Sequence, residues 1–290
     1  MKTIPAFYFD PAELQTLAEH ERPKFLAAAP FPHAVLDNFI PKEIVDLLIQ
    51  EFPTPEQIVW EVHGSGDTPH TGDPRIEKIA CSDERQFPPM TRHFVQQFNS
   101  ATFITFLEQL TGIAGLLPDP SLQGCGLHST GPGGRLMMHT DEDRHSLAGR
   151  ERLLHQRLNA IFYVNPAWRE EYGGHLELWD FSARKCHTRV LPIANRLVIF
   201  DTGTRSLHGH PHPLRCPPDR RRNSLAAYYY VLGRNVGEDY SGFQADTKWV
   251  PTSSEDRRVH RNRRIKQAVL KVTPPICLDA YHLVRRLTRR

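Results

Sequence analysis

The chain has 290 residues, 39% hydrophobic and 24% charged, so it is long enough for one large domain and too apolar for wholesale disorder. No run approaches the ~20 apolar residues a membrane-spanning helix needs, and the start, MKTIPAFYFDPAELQ, places acids and prolines where a signal peptide would be apolar. The net charge of +3 hides an asymmetry: residues 255–290 carry +8 and residues 1–254 carry −5, so pI describes neither part.

Five cysteines (Cys81, Cys125, Cys186, Cys216, Cys277) stand far apart with no CxxC pair. That pattern fits a reduced, cytoplasmic protein without a disulfide framework.

Residues 1–120 read as a mixed, helix-prominent amino-terminal part. Pro41 is expected at the first helical position, followed by an apolar face of Ile44, Val45, Leu47, Leu48 and Ile49. Phe94, Phe98, Phe103, Phe106 and Leu107 recur at helical spacing between about residues 90 and 110, with a break at Asn99-Ser100. These aromatics are expected in the core. The Gly-, Pro- and Asp-rich stretch 61–74 between the two helical regions is loop chemistry.

From residue 121 the texture changes to short strands: RLMMH (135–139), LNAIFYV (158–164), HLELWD (175–180), RLVIFD (196–201) and SLAAYYYVL (224–232). Turn signals separate them, including Gly173-Gly174, which lacks the context of a phosphate loop. Many short strands without long intervening helices predict a mainly β protein with flanking helices (α+β), an antiparallel sandwich or barrel. The strand aromatics Trp168, Trp179 and Tyr228–Tyr230 are expected in the core, and His128 is a candidate pocket residue. A basic, helical extension is expected over 236–290. Its cationic and apolar residues suit packing on the acidic body, or contact with an anionic partner.

Nine of the 16 histidines fall between residues 128 and 212. His139 and Asp141, two apart at a strand end, point to one face and can reach one metal ion. SLHGHPHPL (206–214) offers His208, His210 and His212 as a third ligand. Two imidazoles and a carboxylate on one face suit non-haem Fe(II), because three coordination positions stay open. Arg222 and Ser224, again two apart, form a grip suited to a carboxylate.

The ordered set of metal pair, later histidine and Arg-x-Ser resembles the Fe(II)/2-oxoglutarate-dependent dioxygenases, in particular the branch similar to prolyl 4-hydroxylases. The resemblance covers residues 121–232 closely, through GCGLHSTGPGGRLMMHTDED, RLNAIFYVNPAWREEYGGHLELWD, RLVIFDTGTRSLHGHPHPL and RRNSLAAYYY. FPHAVLDNFIPKEIVDLLIQEFP (31–53) is similar to that branch's lead-in.

The resemblance implies a double-stranded β-helix (jelly roll) core over 121–235. It implies His139, Asp141 and His208 as the iron ligands, and Arg222, assisted by Ser224 and Asn159, as the hold on 2-oxoglutarate. Fe(II), 2-oxoglutarate and O2 are the implied cofactor and co-substrates, with ascorbate a supporting reductant. One spacing is unusual: Arg222 follows His208 by 14 positions and His212 by 10, and about ten is common in the family. The Ser-x-His setting, with Pro211 and Pro213 marking the chain's departure from the sheet, favours His208. Arg220 and Arg221 are fallback carboxylate partners.

Asp141 stands where related halogenases carry a small residue, so the expected reaction is hydroxylation of an unactivated C–H of a small molecule or amino-acid-like substrate. Succinate and CO2 would be released. The alternatives are a peptide or protein prolyl hydroxylase, a non-catalytic metal-binding jelly roll and a hydrolytic zinc enzyme, the last leaving Arg222 and Ser224 unexplained. Lys78 and Arg85, in KIACSDERQFPP, are candidates for a substrate entrance, with plain surface charge the favoured account.

Overall fold

The computed structural model describes residues 9–62, 78–119, 121–122, 125–141, 144–145, 154–182, 184–203, 205–232, 248–254, 256–258 and 261. Most of the 61–74 loop, residues 142–143 and 146–153, Cys277 and nearly all of the basic extension lie outside them.

Four helices come first: α1 (Pro11–Ala27), α2 (Lys42–Glu51), α3 (Pro89–Phe98) and α4 (Ala101–Thr111). Each start has a local cause. The Asp10 carboxylate accepts from the amides of Ala12 and Glu13 at 2.8 and 3.0 Å, and Pro11 follows at the first helical position. Ser100 accepts from the Phe103 amide at 3.2 Å, which divides α3 from α4 where the sequence places the break. Gly112, at φ +77°, ends α4. Pro41 stands at the N-cap of α2, one place before its expected position, because its ψ of 137° is extended.

The strands follow the expected runs and add to them. They are β1 (His33–Asp37), β2 (Glu61–Val62), β3 (Lys78–Cys81), β4 (Leu117–Pro118), β5 (Gly126–Thr130), β6 (Leu136–Thr140), β7 (Arg144–His145), β8 (Leu154–Tyr163), β9 (Leu176–Asp180), β10 (Lys185–Val190), β11 (Arg196–Asp201), β12 (Leu207–His210), β13 (Arg222–Leu232) and β14 (Lys248–Trp249). Among the described residues every pairing is antiparallel. One sheet runs β1-β11-β8-β13-β5-β3-β2, with β4 on β13 and β7 on β8; the other runs β10-β9-β12-β6-β14. Two antiparallel sheets with helices against the larger one are the expected jelly roll.

Strand alternation sorts the larger sheet's two faces. Leu158, Ala160, Phe162, Leu225, Ala227 and Tyr229 join the helices in the main core, where the Phe94 ring lies 4.9 Å from Phe162 and Phe98 lies 4.7 Å from Phe103. The helical phenylalanines are therefore core, as their spacing predicts. The Tyr229 hydroxyl donates to the Phe98 carbonyl at 2.9 Å, tying the sheet to α3. The opposite face carries Tyr163, Val198 and Phe200, which pack on Leu176, Leu178 and Val190 of the smaller sheet. Between these inner faces lie the polar residues that follow.

Candidate metal and co-substrate site

β6 and β12 are adjacent strands, and His139 stands directly opposite His208. Their ring centroids are 4.4 Å apart. Gly209 allows this approach, since a Cβ there would lie 2.7 Å from the Met137 carbonyl oxygen. Asp141 follows β6 on the same face. Its Oδ1 is 3.5 Å from His139 Nε2 and 3.4 Å from His208 Nε2. The three ligand atoms lie within 4.8 Å of one another.

Each imidazole is oriented from behind. His139 Nδ1 bonds the Met137 carbonyl at 2.8 Å and His208 Nδ1 bonds the Ser206 carbonyl at 2.9 Å. A carbonyl only accepts, so Nδ1 carries the proton and Nε2 presents a lone pair toward Asp141. Side-chain amides of Gln156 and Asn159 donate to Asp141 Oδ2 at 3.0 and 3.1 Å, leaving Oδ1 to face the imidazoles. Burial holds His139 below the ordinary imidazole value, with the neighbouring His208 ring acting in the same direction. Burial opposes ionisation of Asp141, but the positive charge and hydrogen bonds that the two rings offer when protonated outweigh it and hold the carboxyl well below its ordinary value. A divalent metal requires an unprotonated nitrogen from each imidazole and an ionised carboxylate, and the backbone carbonyls behind the rings leave both Nε2 atoms for it. The donor set therefore fits ferrous iron.

Of the competing histidines, His212 is 74% exposed and faces Glu177 at 3.7 Å, away from the pair. His210 is buried, and neither ring nitrogen has a hydrogen-bond partner among the described residues. Pro211 and Pro213 do carry the chain out of the sheet after His210, as the sequence suggests.

Arg222 opens β13 and points to the inner face. Its Nε donates to the Gly174 carbonyl at 2.7 Å and Nη2 donates to the Tyr163 hydroxyl at 3.0 Å. Its guanidinium carbon lies 5.0 Å from the Tyr163 ring centroid. Ser224 is buried on the same face, opposite both His128 and Tyr163, so His128 shares that inner face. A guanidinium fixed on one side by a carbonyl and a phenol keeps further N–H groups of the kind that suit a carboxylate. Arg220 and Arg221 serve elsewhere, on the Pro166 carbonyl at 2.9 Å and on Ser129 Oγ at 2.7 Å. The Asn159 amide is directed at Asp141; its Oδ1 has no hydrogen-bond partner among the described residues and is what remains for a guest.

Gly174 takes φ +72°, and a Cβ on it would lie 2.5 Å from Leu214 Cδ2 and 3.1 Å from Arg222 Cδ. Gly174→Ala is expected to displace Arg222, at a cost of about 1–3 kcal/mol in backbone strain and overpacking. A rise of roughly tenfold in the 2-oxoglutarate KM, measured by succinate release, would follow from a shift worth ~1.4 kcal/mol.

Sequence reasoning missed Tyr163, Gln156 and Gly174 as site residues and misplaced Lys78. Arg85 is the surface charge expected, with bonds of 2.7 and 2.9 Å to Asp83. Lys78 instead enters the site. It lies directly opposite Thr130, which lies directly opposite Arg222, so the three side chains share one rung and one face.

Residues 125–230 match the family model of the 2OG-Fe(II) oxygenase superfamily. No curated protein matches. Among solved structures, the fold is similar to that of a prolyl hydroxylase, in complex with a hypoxia inducible factor oxygen degradation domain peptide fragment, from Trichoplax adhaerens. That likeness has a TM-score of 0.53 at 16% identity, over 76% of this chain and 91% of that one. A Pseudomonas putida prolyl-4-hydroxylase matches at 16% identity over 76% of this chain and 100% of that one, with a TM-score of 0.42. HygX from Streptomyces hygroscopicus, with nickel, 2-oxoglutarate and hygromycin B bound, matches at 11% identity over 78% of this chain and 96% of that one, with a TM-score of 0.46. Among the described residues no helix is long and apolar enough to cross a membrane. The family match over residues 125–230 and the buried His139, Asp141 and His208 cluster agree on a 2OG-Fe(II) oxygenase domain within this chain, one whose donor set suits Fe(II) with 2-oxoglutarate as co-substrate.

Proposed function

We propose that this oxygenase hydroxylates an unactivated C–H of a small molecule or amino-acid-like substrate, releasing succinate and CO2. Iron bound at His139, Asp141 and His208 and 2-oxoglutarate held by Arg222 supply the O2-activating chemistry. The chain's own residues do the rest. Gln156 and Asn159 hold Asp141 in orientation, the two backbone carbonyls fix the imidazole tautomers, and Tyr163 and Gly174 aim Arg222. Ser224 and the free oxygen of Asn159 line the co-substrate's path.

The observation that carries the reading is the convergence of three pre-oriented ligand atoms beside a buried, pre-aimed guanidinium. A metal-holding protein without turnover needs the first but not the second. The carboxylate at Asp141 favours hydroxylation over halogenation, because it occupies the position a halide would take.

The test is a succinate-release screen over free amino acids, natural-product fragments and prolyl peptides, with Fe(II), 2-oxoglutarate and O2. Stimulation by a small molecule is the expected result. Stimulation by prolyl peptides alone would replace this substrate class with peptide hydroxylation.

A further inference from the structure

The rung Lys78–Thr130–Arg222 crosses three adjacent strands, β3, β5 and β13. Strands are spaced about 4.8 Å apart, so the Lys78 and Arg222 backbones lie roughly 10 Å from one another on one face. Arg222 leans the other way, toward Tyr163 on β8. Lys78 therefore flanks the line from metal to guanidinium on the side of the sheet's β2 edge. Its charge is felt by Asp141, Arg222 and His210.

Among the described residues Lys78 makes no hydrogen bond or ion pair, although partly buried. Burial pulls its ammonium down to about 8 from 10.5, and only Asp141 pushes back. A partly buried lysine with no partner among the described residues costs stability there and needs a reason.

Charge counting supplies one. The two charges of ferrous iron and the one of Arg222 are matched by the Asp141 carboxylate and both carboxylates of 2-oxoglutarate. Lys78 is then left as a surplus cation whose charge also reaches the buried His210 ring, itself without a hydrogen-bond partner among the described residues. A net positive, partly dry pocket selects a further anion.

We propose that Lys78 receives a carboxylate of the hydroxylated substrate, making the enzyme selective for carboxylate-bearing small molecules. This inference rests on the oxygenase reading above and adds a substrate class to it.

The experiment uses the full chain with Fe(II), 2-oxoglutarate and O2, and a panel of free and N-acetylated amino acids beside their matched carboxamides. At least one carboxylate is expected to stimulate succinate release, with its carboxamide weaker by about tenfold or more. Lys78→Met is expected to raise that carboxylate's KM about tenfold or more, with Lys78→Arg restoring much of the loss. The KM for 2-oxoglutarate should change far less in both variants than in an Arg222 variant. The metal-free Lys78→Met protein should melt a few degrees higher, roughly the shift expected when an unpartnered charge is removed from a partly buried site.

Three outcomes would overturn the proposal: no carboxylate stimulates, carboxamides serve equally, or Lys78→Met raises the 2-oxoglutarate KM as an Arg222 variant does. Failure of the oxygenase reading itself is separable. It would show as no anaerobic charge-transfer absorption from the wild-type protein with Fe(II) and 2-oxoglutarate, whatever the panel does.

Discussion

Asp141→Ala is expected to abolish substrate-dependent succinate release and to weaken Fe(II) binding by more than about a hundredfold, since changes even to outer-shell partners of a metal site cost 10–100-fold. Asp141 provides the only carboxylate within the three-ligand cluster. Without it, two neutral imidazoles face a dication with no charge to offset its dehydration. The amides of Gln156 and Asn159 also lose the acceptor they share, and each buried donor so stranded costs about 1–3 kcal/mol. Lys78 would lose the one anion that favours its charged form. The variant should therefore fail in metal binding and in turnover together. Metal titration alongside the succinate assay checks this, and full oxygenase activity in Asp141→Ala would remove it from the ligand set.

Arg222→Ala is expected to separate the two halves of the site. Truncating one partner of a buried, hydrogen-bonded charge pair costs about 2–5 kcal/mol, so the 2-oxoglutarate KM should rise roughly thirtyfold to a thousandfold or more. Iron affinity should change little, because Arg222 contacts Gly174 and Tyr163 and not the ligand atoms. Arg222→Lys retains the charge but not the fork that meets both the carbonyl and the phenol, so an intermediate KM is expected. Comparing 2-oxoglutarate KM with Fe(II) affinity in both variants checks the assignment; equal losses of the two would point to another residue as the anchor.

How much of the site could be read from sequence follows from how local its geometry is. His139 with Asp141, and Arg222 with Ser224, are pairs two apart at strand ends, and alternation alone puts each pair on one face. The third ligand needed more. Spacing to Arg222 favoured His212, and the structure puts that side chain outside, because the chain leaves the sheet at Pro211. The residues behind the site were invisible for a different reason. Tyr163 and Gln156 act across strand pairs, and no local pattern announces which residues will share a rung. Lys78 is the clearest case, since a four-residue strand between two loops reads as surface, and only its pairing with β5 turns it inward.

The amino-terminal part shows the same division. The phenylalanines of α3 and α4 announce themselves by period, and Ser100 by its capping chemistry. α1 escapes because its buried face is only Leu14, Ala18 and Phe25 within a largely polar run. β1 escapes because a five-residue strand with exposed Val35 and Asp37 carries little periodic signal until it pairs with β11.

The most direct measurement is an anaerobic titration of the wild-type protein with Fe(II) and then 2-oxoglutarate, followed by visible absorption. The geometry at His139, Asp141, His208 and Arg222 predicts a weak charge-transfer band that saturates at one equivalent of 2-oxoglutarate per iron and is missing from Asp141→Ala. A wild-type protein that binds iron yet gives no such band, or an Asp141→Ala protein that gives the full band, would contradict it.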